Sequence, residues 1–201
     1  MAARRPLVLV SGAPAELPAG DTPLIPHAAH GFLVVGTGGF HHGVIGGGAL
    51  TTIIGAADRL NFMPFIPAGG FTCDELAIEV TTLLAASLAH VGIYDDLNGA
   101  PNARLAASAT ALDCATTGVK TAAISQALEA GKVYWLAVLT SSTQTLRGIP
   151  LTGLLPLGAP ASGTAINVLR RATFTFAALP ATAPATTLTS AVASWLRLKS
   201  T

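Results

Sequence analysis

The stretch KVYWLAVLT, residues 132–140, carries the strongest strand pattern in the chain. Successive side chains of a strand point to opposite faces of its sheet. One face here carries Val133, Trp135, Ala137 and Leu139, and the other carries Tyr134, Leu136 and Val138. Because both faces are apolar, the stretch predicts a strand at the centre of a sheet or at an interface.

Further strand patterns lie on both sides of this stretch, with turn residues between them. They cover residues 49–56, 58–67, 71–80, 88–94, 105–111, 118–125, 168–178 and 191–199. Short strands at close spacing are typical of sandwiches and barrels. We therefore predict an all-β fold, a jelly-roll-like β-sandwich, in which residues 141–163 are rich in loops.

Residues 73–91 also allow a helix. Their leucines and valines recur at spacings of three and four residues, as on one face of a helix. Thr81, Thr82 and the other β-branched residues favour a strand instead. In the strand, Leu76, Ile78 and Val80 share one face, and Ala77 and Glu79 share the other.

The N-terminal part differs in composition from the rest. Residues 1–48 are rich in Gly, Pro and His, and four prolines after Leu7 rule out a helix there. We predict an extended anchoring arm over residues 1–48, with a short strand at 7–10, and a β-sandwich domain over 49–201. The apolar run at 7–10 is shorter than that of a secretory signal peptide.

Charge and hydropathy limit the classes of partner. Only 10% of the residues are charged and the net charge is +1, so the basic patch of a nucleic-acid binder is missing. The mean hydropathy is +0.58, yet no continuous apolar block is long enough to span a bilayer. These values predict no nucleic acid, no membrane insertion, and a neutral surface that is buried against other subunits.

The sequence offers few signs of cofactor or metal chemistry. The glycine run at 36–48 lacks the Gly-Lys-Ser/Thr end of a phosphate loop. Cys73 and Cys114 are too far apart in sequence for a Cys-x-x-Cys metal motif. We expect both to be buried free thiols, and a disulfide across two strands is the alternative. His41 and His42 point apart on an extended chain, so a metal there requires several chains at a symmetry axis. We expect no cofactor, no metal and no enzymatic activity.

The stretch HVGIYDDLNGAPNARLAAS, residues 90–108, is the one candidate binding site. Ala89, Val91 and Ile93 predict one face of a strand that ends at the two aspartates, and Asn-Gly and Ala-Pro predict a polar loop. Loops at the end of a sandwich often carry binding residues. The candidate receptor or glycan contacts are Tyr94, Asp95, Asp96, Asn98, Asn102 and Arg104. The alternative is a turn in which these side chains only satisfy main-chain amides.

Three stretches carry a resemblance to a known family: RLNFMPFIPAGGFTCDELAIEVTT (59–82), AHVGIYDDLNGAPNARLAAS (89–108) and TGVKTAAISQALEAGKVYWLAVLT (117–140). In order and spacing they resemble a β-sandwich module of tailed-bacteriophage virion proteins, including fibres and spikes. The beginning, PLVLVSGAPAELPAGDT (6–22), is similar to openings of such proteins.

This resemblance implies a non-enzymatic virion protein of the fibre or spike type, made in the bacterial cytoplasm. It implies attachment to other virion proteins through the N-terminal arm and contact of the sandwich with a host-surface glycan. Aromatic residues make up only 5% of the chain, which is few for sugar stacking. A capsid decoration protein without receptor binding is therefore the alternative, and a polysaccharide-degrading enzyme is the least favoured.

The neutral composition and the two-faced strand at 132–140 predict an oligomer, because large apolar surfaces are unfavourable on a monomer. The resemblance implies that this oligomer is a homotrimer. Light scattering on the purified protein measures this directly. A trimer mass is expected, and a sharp monomer peak at micromolar concentration would contradict the prediction.

Overall fold

The computed structural model describes residues 7–10, 13–16, 40–41, 49–67, 69–151, 154, 157 and 167–200. Predictions that concern His42, the glycine run and most of the arm lie outside these residues. The described residues form strands β1 (Leu7–Val10), β2 (Ala13–Glu16), β3 (Phe40–His41), β4 (Thr51–Ile54), β5 (Arg59–Phe65), β6 (Phe71–Thr82), β7 (Leu88–Leu97), β8 (Ala100–Ala107), β9 (Leu112–Asp113), β10 (Gly118–Leu128), β11 (Tyr134–Thr140), β12 (Thr145–Ile149), β13 (Leu169–Thr173), β14 (Thr187–Thr189), β15 (Ala193–Ser194) and β16 (Arg197–Ser200).

Two sheets form the domain. The β11 sheet has the order β14-β13-β5-β11-β7-β8, with β9 also paired to β7. The β6 sheet has the order β15-β12-β6-β16-β3, with β10 paired to β6 and β4 paired to β12. The chain passes from one sheet to the other at each step from β4 to β7, at each step from β9 to β13, and again from β14 to β15. The predicted all-β sandwich is confirmed.

The main core lies between the two sheets. Its members alternate along the strands, as a period of two requires. β11 contributes Tyr134, Leu136 and Val138, β6 contributes Leu76, Ile78 and Val80, and β7 contributes Ala89, Val91 and Ile93. The faces predicted for these three strands are therefore correct.

A second, smaller core covers the outer face of the β11 sheet. Trp135, Ala137 and Leu139 pack there with Leu60, Phe62, Tyr94, Ala172 and Leu179. Residues 174–186, which we call the cover segment, lie across this face, and their Phe174, Phe176 and Ala183 pack against the same cluster. β11 is thus central in its sheet, and its own chain buries both of its faces.

The cover segment begins where a strand was predicted to continue. β13 ends at Thr173, not at residue 178. The main-chain oxygen of Asp58 accepts a hydrogen bond from the Phe174 N–H at 2.9 Å, and Asp58 Oδ1 accepts one from the Phe176 N–H at 2.7 Å. These bonds satisfy amides that a continued ladder would otherwise have used.

Residues 73–91 form no helix. They contain residues 73–82 of β6 and residues 88–91 of β7, so the strand interpretation of this stretch is confirmed. Two other boundaries differ from the prediction. The strand expected at 105–111 is β8, which begins at Ala100 directly after a tight turn. β12 lies within the stretch predicted to be rich in loops. In the arm, the strand predicted at 7–10 is β1, which pairs with β2, and β3 pairs with β16.

Gly92 shows how closely the cover segment approaches β7. A Cβ atom at this position would lie 2.7 Å from Leu179 Cδ1 and 2.8 Å from the Ala106 oxygen. We expect Gly92→Ala to lower the free energy of unfolding by about 1–3 kcal/mol, because a packed site must shift to admit the methyl group. Urea denaturation measures the change.

Gly70→Ala is the matched control. The nearest atom to its added Cβ would be the Leu128 oxygen at 3.4 Å, an ordinary contact. Its stability is expected to stay within about 0.5 kcal/mol of wild type. Equal stability of the two variants would show that the cover segment is not packed on β7.

Candidate functional site at the β7–β8 hairpin

The candidate loop is a tight hairpin turn. Asn98 and Gly99 have φ values of 56° and 76°, and Leu97 pairs with Ala100 across them. Two central residues with positive φ are the geometry that Asn-Gly favours between strands. Asp95 and Asp96 therefore belong to β7 instead of ending it, and Pro101 belongs to β8.

Asp96 joins the turn to the centre of the β11 sheet. Its Oδ2 accepts a hydrogen bond from the Gly99 N–H at 3.0 Å, and its Oδ1 accepts one from the Trp135 indole Nε1–H at 2.7 Å. The indole is buried, so its single donor requires an acceptor within the protein. The carboxylate supplies that acceptor.

Arg170 holds the other side of the turn. Its Nε–H donates to the Gly99 oxygen at 2.9 Å, and its guanidinium carbon lies 5.9 Å from the centre of the Trp135 ring. This distance is within the range of a cation–π contact. Trp135 is therefore bonded at its edge by Asp96 and approached by the Arg170 cation.

Asp95 and Arg104 join the hairpin to itself and to the cover segment. Asp95 Oδ1 accepts a hydrogen bond from the Ala103 N–H at 2.5 Å. The Arg104 guanidinium donates to the Leu179 oxygen, and the Arg104 N–H donates to the Ala181 oxygen at 2.8 Å. Both side chains are thus used within the chain.

Tyr94 is buried beneath the cover segment. Its hydroxyl donates to the Pro180 oxygen at 2.7 Å, and its ring meets the Phe62 ring edge to face with centroids 5.2 Å apart. Burial raises the pKa of its hydroxyl to about 12. The aromatic face that the sequence suggested for sugar stacking does not reach the surface.

Asn102 contacts the cover segment through its main chain, whose oxygen accepts a hydrogen bond from the Ala183 N–H at 2.7 Å. The structure therefore brings all six predicted residues to one hairpin. The side chains of Tyr94, Asp95, Asp96 and Arg104 bond to the protein itself. The exposed tip consists of Leu97, Asn98 and Gly99, with Leu97 55% exposed.

Sequence reasoning missed two residues of this network, Trp135 and Arg170. Trp135 was assigned to an apolar face, but a buried indole also needs an acceptor, and this requirement is a signal that the sequence contains. Arg170 is adjacent to Arg171 in sequence, and nothing in the residues around it indicates that it contacts the hairpin. Only the pairing of β13 with β5, beside β11, places it near the turn.

Cys73, Cys114 and His90 are buried. Cys73 and Cys114 are both unpaired, and burial raises their pKa values to about 12 and about 11, so the thiols stay protonated. His90 Nδ1 lies 3.0 Å from Ser108 Oγ, and its ring lies 5.4 Å from that of Phe176. Burial lowers the pKa of His90, which favours the neutral imidazole.

Within the described residues, no three His, Cys, Asp or Glu side chains are grouped so that they could hold a metal ion. The same part of the chain contains no helix of the length and hydropathy that crossing a membrane requires. Comparisons with protein-family profiles, curated proteins and solved structures found no match.

We expect Asp96→Ala to destabilise the protein by about 1–3 kcal/mol, because the buried indole N–H loses its acceptor. Urea denaturation measures the loss. Asn102→Ala is the control, since its hydrogen bond to the cover segment uses a main-chain atom, and its effect should stay within about 0.5 kcal/mol. An unchanged stability of Asp96→Ala would mean that the carboxylate does not hold the hairpin.

Proposed function

We propose that this chain is a non-catalytic structural subunit of a tailed-bacteriophage virion, of the fibre or spike type. Its β-sandwich is the displayed module, and its N-terminal arm, residues 1–48, attaches it to other virion proteins. The subunits associate as a homotrimer, and the sandwich meets a host-surface glycan.

The proposal rests on one observation: the residues that carry the resemblance to the phage module make contacts that hold the β7–β8 hairpin in place. Gly92 admits the cover segment, Tyr94 bonds to Pro180, Asp96 bonds to Trp135, and Gly99 forms the turn. These contacts fix a rigid hairpin on a sandwich. A repeating module of a particle needs this kind of stable frame, whichever surface it contacts.

The same hydrogen bonds favour a second candidate, a capsid decoration protein that binds no receptor. Asp95, Asp96 and Arg104 use their polar side-chain atoms within the chain, so these atoms are less available to sugar hydroxyls. A glycan that binds at this hairpin has to use the exposed tip or compete with these bonds.

Analysis of the virion tests the proposal. Particles of the phage that encodes the chain are purified, their peptides are identified by mass spectrometry, and the protein is located by cryo-electron microscopy. Density at the tail is expected for a fibre or spike, and density on the head for a decoration protein. Absence of the chain from purified particles would contradict both.

Deletion of residues 1–26 tests the role of the arm. The truncated protein should keep the wild-type melting temperature, since the two sheets are built from later residues. It should fail to enter particles when it is supplied in place of the full chain. Normal incorporation of the truncated protein would show that attachment uses another surface.

A further inference from the structure

Two arginines lie together on the inward face of the β11 sheet. In the pairing of β13 with β5, Arg171 is opposite Asn61 and Thr173 is opposite Arg59, so the two arginines are diagonal neighbours. They share their face with Met63 and Leu169, which belong to the core between the sheets. Two positive charges thus lie on the same sheet face as these apolar core residues.

The hydrogen bonds of the two guanidiniums leave donors unused. Arg171 Nε–H donates to Asn61 Oδ1 at 2.9 Å, and Arg59 Nη2 donates to the Ile54 oxygen at 2.5 Å. Arg59 Nε is buried and has no hydrogen-bond partner in the described residues. A buried donor without an acceptor is unfavourable unless something else binds it.

No carboxylate of the described residues forms an ion pair with either guanidinium. Arg147, by contrast, pairs with Glu79 at 2.9 Å. The carboxylate nearest in sequence, Asp58, accepts its hydrogen bond from the Phe176 N–H. Burial, and then the charge of Arg59, lower the pKa of Arg171, which agrees with two like charges at close range.

The pocket next to Asn61 supplies no negative charge to the two arginines either. A pocket between the sheets begins beside Asn61, and no acidic residue lines it. Its other walls are Phe62, Met63, Leu136, Val138, Leu169, Ala193 and Ser194. Two partly buried cations repel each other here, and one of them has a buried donor without an acceptor, so a bound anion would be favourable.

We propose that Arg59 and Arg171 form a binding site for an oxyanion, either a phosphate or a carboxylate group. The planar fork of a guanidinium matches both groups and binds them through two parallel hydrogen bonds. The bound anion removes the repulsion between the arginines and gives Arg59 Nε an acceptor. This site is separate from the β7–β8 hairpin and does not depend on the proposed function.

Isothermal titration calorimetry of the full chain at low ionic strength tests the site. The probes are inorganic phosphate, glucuronate as a sugar carboxylate, and glucose as the neutral control. We expect one anion per chain and no heat with glucose. Tighter binding of phosphate or of glucuronate decides which source of the oxyanion the site prefers.

Arg59→Gln and Arg171→Gln are each expected to weaken binding at least about tenfold, because a charge-assisted contact is lost. Arg170→Gln removes the same charge from the adjacent residue, whose side chain reaches Gly99 and Trp135 instead, and it should bind like wild type. Arg171→Lys keeps the charge but loses the fork, so its affinity should lie between those of wild type and Arg171→Gln.

The proposal is wrong if wild type binds neither anion, or if the Arg59 and Arg171 variants bind as tightly as wild type. It is also wrong if Arg171→Gln raises the melting temperature while phosphate leaves that of wild type unchanged. That result would show that the two arginines repel each other and that no bound anion relieves the repulsion. Circular dichroism of each variant confirms the β-sheet spectrum before titration.

Discussion

The burial of both faces of β11 is the constraint on which the rest of this structure depends. A strand with Leu136 on one face and Trp135 on the other has no face that suits water. The β6 sheet covers one face, which gives the sandwich. The other face would remain open on a two-layer fold, and the cover segment closes it. A third layer without regular secondary structure is therefore a direct consequence of the composition of this one strand.

The position of the cover segment decides what the β7–β8 hairpin does. β7 adjoins β11, so its outward positions lie under the same segment. Gly92 is small there because Leu179 approaches it, and Tyr94 finds in Pro180 the acceptor that its buried hydroxyl requires. The aspartates at the end of β7 complete this arrangement, Asp96 by bonding the indole of β11. A stretch with the composition of a binding loop thus has a large structural role.

Charged residues are few in this chain, so each one carries information about its place. Arg147 and Glu79 form a pair between neighbouring strands of the β6 sheet, and Arg170 lies near an aromatic ring and a turn oxygen. Arg59 and Arg171 differ from these because they are diagonal neighbours on one face of the sheet and neither forms an ion pair with a carboxylate of the described residues. In a chain with so few charges, two neighbouring arginines without a carboxylate partner are the observation from which we infer an anion site.

The sequence by itself determined the fold class, most strand positions and the inward faces of β6, β7 and β11, because a period of two is a local property of the chain. It also placed the six hairpin residues together, since they are neighbours in sequence. It did not predict the end of β13, the strand β12 or the partners of the hairpin side chains. Those depend on contacts between distant residues, such as Trp135 with Asp96 and Asp58 with Phe176. Only the tertiary structure decides whether an exposed-looking aspartate or tyrosine has an acceptor or donor within its own chain, because segments far apart in sequence supply those groups.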